Sequence, residues 1–140
     1  MLQIIIEIFL LTVLVISTIT DLKNRTIRNN ITYPSFVILA LLRVFEGEWI
    51  YFIGLVPALF FFLLYMIAPK GLGAGDIKLF AVIGLALGLE QTIGVLFWMS
   101  VGFLLSILFQ KIRKTSVHSL PLAPFMLIGY LITFCLEVFV

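Results

Sequence analysis

Charge is scarce in this chain: Lys, Arg, Asp and Glu make up 11% of its 140 residues, against 63% that are apolar. A chain so poor in charge is neither a soluble domain, where about a quarter of residues are charged, nor a disordered one. It has one histidine, His118, and one cysteine, Cys135. That excludes an internal disulfide, a multi-cysteine metal site and an HExxH metalloprotease helix. Nine basic residues against seven acidic leave +2, and the bases lie in small scattered groups, so a nucleic-acid binder is excluded too. The opening run MLQIIIEIFLLTVLVISTIT lacks a basic n-region and a small-residue cleavage site. It reads as a retained first helix rather than a signal peptide.

Apolar sequence is what the chain has in abundance, in stretches over 2–20, 31–45, 50–68, 77–89, 91–109 and 120–140. A bilayer core takes roughly 20 helical residues per crossing, so six crossings use about 120 and leave only short loops. The expected fold is all-α: one membrane-embedded domain over residues 1–140, with about six transmembrane helices and the N-terminus outside. The stretches 31–45 and 77–89 are short, and charge decides their status. With six full crossings Lys23, Arg25, Arg28, Lys70, Lys78, Lys111, Arg113 and Lys114 all face the cytoplasm, and Arg43 is the single basic exception. Glu7, Glu46, Glu48, Glu90 and Glu137 fall on or toward the outer side. A re-entrant 77–89 would turn the bases at 111–114 outward.

The only two aspartates, Asp21 and Asp76, both fall at cytoplasmic helix ends on this topology. Asp21 closes the first helix, with Ser17 and Thr18 one turn back on the same face, a stripe that is costly against lipid and so points into the bundle. Asp76 opens the fourth helix after Lys70-Gly71-Leu72-Gly73-Ala74-Gly75, where glycines permit positive φ, close backbone approach and a hinge over 69–75. Asp76, Phe80, Gly84 and Gly88 are spaced by four and share one helix face. On it Gly84 and Gly88 form a GxxxG pair expected to pack another helix. Lys78 is placed to tune the aspartates, bind substrate or snorkel to headgroups. Asn29 and Asn30 are expected to cap the second helix, with Pro34 in its first turn.

Two carboxylates held close together share a proton, so that one activates a water while the other polarises a scissile carbonyl. Such a site needs neither a metal nor another cofactor. Serine and cysteine protease designs fail for want of a base: His118 sits in a basic loop, Cys135 lies most of a span away, and no G-x-S-x-G elbow is present. Taken singly, each aspartate also suits a plainer role, Asp21 as an interfacial anchor and Asp76 as a complement to the helix dipole. The competing class is a small transporter, channel or assembly factor that uses the aspartates as an ion relay. The spans 50–68 and 91–109 carry no charge, which disfavours a relay through the midplane.

Gly73-Ala74-Gly75-Asp76-Ile77-Lys78-Leu79 is similar to the G-x-G-D-x-K-L signature of the type IV prepilin and preflagellin peptidases, with Ala81, Gly84 and Gly88 fitting its continuation. Asp21-Leu22-Lys23 with Ile27, Arg28 and Asn29 resembles that family's D-x-(R/K)-x-x-x-I-P-N segment, Arg28 standing where proline is usual. Pro121-Leu122-Ala123-Pro124-Phe125 with Gly129 resembles its P-x-x-P-F segment. The resemblance implies a cell-membrane aspartic endopeptidase whose Asp21 and Asp76 remove short basic leaders, after a glycine, from prepilins, pseudopilins or preflagellins at the cytoplasmic face. Its partners would be that protein substrate and membrane lipid. Many bacterial members add a cysteine-containing domain associated with methylation, for which this chain has neither room nor cysteines, so peptidase activity without methyl transfer is expected. Presenilins and signal peptide peptidases share the GxGD idea but place their first aspartate within a membrane helix. Here Thr20 precedes Asp21 and both aspartates lie near the interface, which implies cutting at the membrane surface.

Overall fold

A computed structural model describes residues 1–68, 73–113 and 120–139. Lys70 and Gly71 of the expected hinge, Lys114 of the basic loop and His118 lie outside the described residues. The rest is all-helical: α1 (Leu2–Asn24), α2 (Asn29–Glu46), a 3-10 helix (Trp49–Leu55) continuing into α3 (Val56–Ile67), α4 (Ala74–Leu87), α5 (Leu89–Ile112) and α6 (Ala123–Phe139). Each apolar stretch has become a helix. Three segments are long and apolar enough to cross a membrane, Leu2–Asn24, Trp49–Ile67 and Leu89–Ile112, and Ala123–Phe139 is a shorter apolar helix.

The fourth helix is short because it is the centre of the bundle. Ile77, Leu79, Phe80 and every residue from Val82 to Leu87 are buried, so α4 is covered on all sides. It packs against α1, α2, α3, α5 and the 3-10 helix. Its 14 residues rise only about 21 Å.

The glycine pair of α4 packs against one neighbouring element, the 3-10 helix. Gly84 packs as expected, but its partner is Gly54 of the 3-10 helix: a Cβ on either would overlap the other's backbone carbonyl. Gly88 lies just past the end of α4 and packs against the same 3-10 helix: a Cβ on Gly54 would stand 2.9 Å from its carbonyl carbon, and one on Gly88 itself would stand 3.3 Å from the Tyr51 ring. It is the one-residue junction between α4 and α5, at φ 80 and ψ −179, a conformation essentially confined to glycine. Its N–H donates to the Gly84 carbonyl at 2.9 Å while its own carbonyl accepts from the Thr92 N–H at 3.2 Å. Spacing by four therefore marks two contacts with the 3-10 helix, and the second glycine also serves as the helix cap.

Two further expectations are corrected. Arg28, in extended conformation, is the N-cap of α2, and its carbonyl accepts from the Ile31 and Thr32 N–H groups. Asn29 is already helical and no side-chain cap is made, so neither Asn29 nor Asn30 caps the helix. Pro34 falls inside α2, beyond its first turn.

Arg43 is the residue that the charge pattern left as an exception, and it is 1% exposed. Its Nε donates to the Leu85 carbonyl at 3.1 Å and its Nη2 to the Ala86 carbonyl at 2.6 Å, filling two acceptors at the α4 C-terminus. Nη2 also donates to Gln3 of α1, and Nη1 pairs with Glu46 and Glu48 at 3.2 and 3.0 Å. The guanidinium stacks 3.5 Å from the centroid of the Tyr51 ring. One side chain thus fastens α1, α2, the 3-10 helix and α4 at the end of the bundle away from Asp76.

Candidate active site

Asp21 sits in the last turn of α1 and is 6% exposed. The helix stops just beyond it because Arg25 adopts the left-handed conformation, φ 51, and donates its N–H to the Asp21 carbonyl at 2.8 Å. Among the described residues Arg25 is the only non-glycine with positive φ. A strained residue beside buried polar groups is a feature of functional sites. The Asp21 Oδ2 accepts a 3.1 Å hydrogen bond from the backbone N–H of Ala123, the first residue of α6. That amide belongs to a helix N-terminus, where N–H groups lack helical partners and the dipole favours negative charge. The Pro121-Leu122-Ala123-Pro124 segment, singled out in the sequence without a role, so becomes a carboxylate clamp.

Asp76 is the third residue of α4, ahead of the uninterrupted apolar run 79–87 and outside the three long apolar segments. Its N–H donates to the Gly73 carbonyl at 3.1 Å, closing the first turn of the helix. Burial, and then the charge of Asp21, push the Asp76 carboxyl up from the ordinary 3.8 to about 6, against a smaller lowering by the Gly73 backbone.

The glycines before Asp76 act through space rather than through unusual dihedrals. Gly73 has φ −77 and ψ 133, open to any residue. A Cβ there would stand 2.6 Å from the Asp76 Oδ2. Gly75 lies against Ile27 of the α1–α2 connection, which a Cβ would approach to 3.0 Å. Positive φ, expected from the glycine run, does not occur at either position.

Asp21 and Asp76 line one cavity of about 310 Å³, with Arg25, Thr26, Ile27, Asn29, Gly73, Ala74, Gly75 and Lys78 around them. A smaller adjoining cavity again holds both aspartates and Arg25, with Leu120, Pro121 and Leu122 opposite. Lys78 Nζ donates to Asn29 Oδ1 at 3.0 Å and lies 4.5 Å from the centroid of the Tyr33 ring, so it ties α4 to α2. Asn29 and Lys78 therefore meet as one wall of the cavity. Gly84 and Gly88 do not reach it.

A family model described as the type IV leader peptidase family matches residues 8–109 of the chain. The chain belongs to the type IV leader peptidase family. Both aspartates fall within the matched residues, whereas α6, with the Ala123 clamp, lies beyond them. No curated protein and no solved structure matches the chain. Membership in a leader peptidase family, together with the long apolar helices, makes the chain a membrane protein of proteolytic type.

Proposed function

We propose that this leader peptidase family member is an aspartic endopeptidase of the cell membrane that removes the short basic leader of type IV prepilins, pseudopilins or preflagellins. The observation that carries the reading is the convergence of Asp21 and Asp76 on one polar-walled cavity. Asp76, pushed up to about 6, holds the proton that hydrogen-bonds the scissile carbonyl oxygen. The Asp21 carboxylate takes a proton from the attacking water, whose oxygen bonds to the carbonyl carbon. That proton then passes to the leaving amine as the C–N bond breaks.

The chain crosses the membrane six times with its N-terminus outside, so the basic residues beside the aspartates face the cytoplasm. The apolar segment of the substrate stays in the bilayer beside the bundle, and its leader reaches the cavity at the surface. Gly73 and Gly75 keep the mouth of the cavity free of side chains, and Lys78 with Asn29 braces its wall. The reaction uses no cofactor.

Co-expression of a prepilin with the wild type, Asp21→Ala and Asp76→Ala tests the reading by the gel shift of the shortened product. Cutting by the wild type alone, with both variants present in the membrane, supports it. Cutting by either variant overturns the two-aspartate mechanism.

A further inference from the structure

Two hydroxyls on α1 have no partner that explains them. Ser17 is fully buried and Thr18 is 9% exposed, and neither side-chain oxygen makes a hydrogen bond. Five other helical hydroxyls bond backwards to the carbonyl four residues earlier. Thr12 bonds to Ile8, Ser35 to Ile31, Thr92 to Gly88, Ser100 to Leu96 and Thr133 to Gly129. Ser17 and Thr18 depart from that habit, and a buried polar group in a native fold has a use for its hydrogen-bonding capacity.

Their place in the helix says what that use is. Ser17 and Thr18 are four and three residues before Asp21, on the same face. Helical side chains lean toward the N-terminus, so the Asp21 carboxylate lies over the turn that carries both hydroxyls. Its Oδ2 is held from the other side by the Ala123 N–H. We propose that Ser17 and Thr18 are positioning residues for Asp21: their hydroxyls bind one enclosed water that donates to the Asp21 carboxylate from beneath. Buried waters typically satisfy two to four such polar groups. Held on both sides, the carboxylate cannot swing, and its remaining lone pair stays aimed into the cavity shared with Asp76. This deepens the proposed protease mechanism and rests on it for its catalytic meaning.

The chain's two aspartates make the test selective. The full chain, labelled with [4-¹³C]aspartate in micelles, gives two carboxyl signals, and Asp76→Asn assigns them. At one fixed pH, the Ser17→Ala/Thr18→Val double variant is expected to move the Asp21 signal and leave that of Asp76 in place. Thr18→Ser should keep the wild-type position, and the single variants give the same readout should the double variant fail to fold. An Asp21 signal that stays put when both hydroxyls are removed overturns the proposal. Against a prepilin the double variant is expected to lose about tenfold in kcat at unchanged KM, which Ser at 18 restores. Because the carboxyl signal needs no turnover, a moving signal without any prepilin cutting defeats the protease reading alone, and cutting with a static signal defeats the positioning role alone.

Discussion

Replacing Arg43 with methionine keeps most of the apolar stem and removes every contact of the guanidinium. The Leu85 and Ala86 carbonyls, in the last turn of α4, lose donors at 3.1 and 2.6 Å. Leaving a buried acceptor unsatisfied costs about 1–3 kcal/mol each. Glu46 and Glu48 are 25% and 47% exposed, and pairs that water reaches so easily contribute at most about 1 kcal/mol. The expected loss is therefore about 3–5 kcal/mol, the range found when one partner of a buried charge pair is removed. At about 2–4 °C per kcal/mol that is a fall in Tm of roughly 10 °C. Thermal melting in detergent micelles, followed by helical circular dichroism, measures it. Arg43→Lys should recover only part, since one ammonium cannot reach two carbonyls, Gln3 and two carboxylates together. A fall of under about 3 °C for Arg43→Met, or a lysine variant equal to wild type, refutes the reasoning.

Asp76 gives a pH dependence with a definite sign. Its folded value is raised from 3.8 to about 6, so the stability that it contributes is fully present below 3.8 and is lost as pH rises through about 6. Tm should fall over that window in the wild type and lose that part of the slope in Asp76→Asn; parallel curves would show the carboxyl to be unperturbed. Cleavage that needs protonated Asp76 should likewise decline above pH 6, as a pH–rate profile would record. Gly54→Ala and Gly84→Ala each drive a Cβ into backbone and should lose about 1–3 kcal/mol or more, whereas Gly102→Ala meets only the Phe125 ring at 3.3 Å and should melt near wild type. Gly73→Ala fits its dihedrals but crowds the Asp76 carboxylate, so kcat should drop about tenfold with Tm little changed, and full activity would make that glycine mere spacing.

The helices were legible because apolar runs bounded by polar residues leave no other way to satisfy backbone groups in lipid. The arrival of Asp21 and Asp76 at one end followed from alternating helix direction, which needs only the number of crossings between them. What escaped is carried by atoms that sequence patterns do not describe. Gly84 and Gly88 look alike at a spacing of four and both pack the 3-10 helix, but only the φ of 80 at Gly88 shows that it also ends α4. Gly54, the true partner of Gly84, lies thirty positions away in a 3-10 helix with no motif of its own. Ala123 serves through its amide, so its side chain gives no hint, although the prolines on either side mark a helix start whose N–H groups are free. Arg43 did leave a trace, as the one base among the acids of the side expected to face outward. A charge that breaks a topology rule is tolerated where it is buried and fully bonded, so that exception pointed to a structural fastening. The same logic applies at the opposite end of α4. Asp76 is one end of a helix whose other end is clamped by Arg43, and the close Gly54 contact prevents α4 from sliding between them. The position of the candidate acid is thus set by contacts a full helix length away. A variant at Gly54 or Arg43 that still folds should therefore show its effect on cleavage in kcat more than in KM.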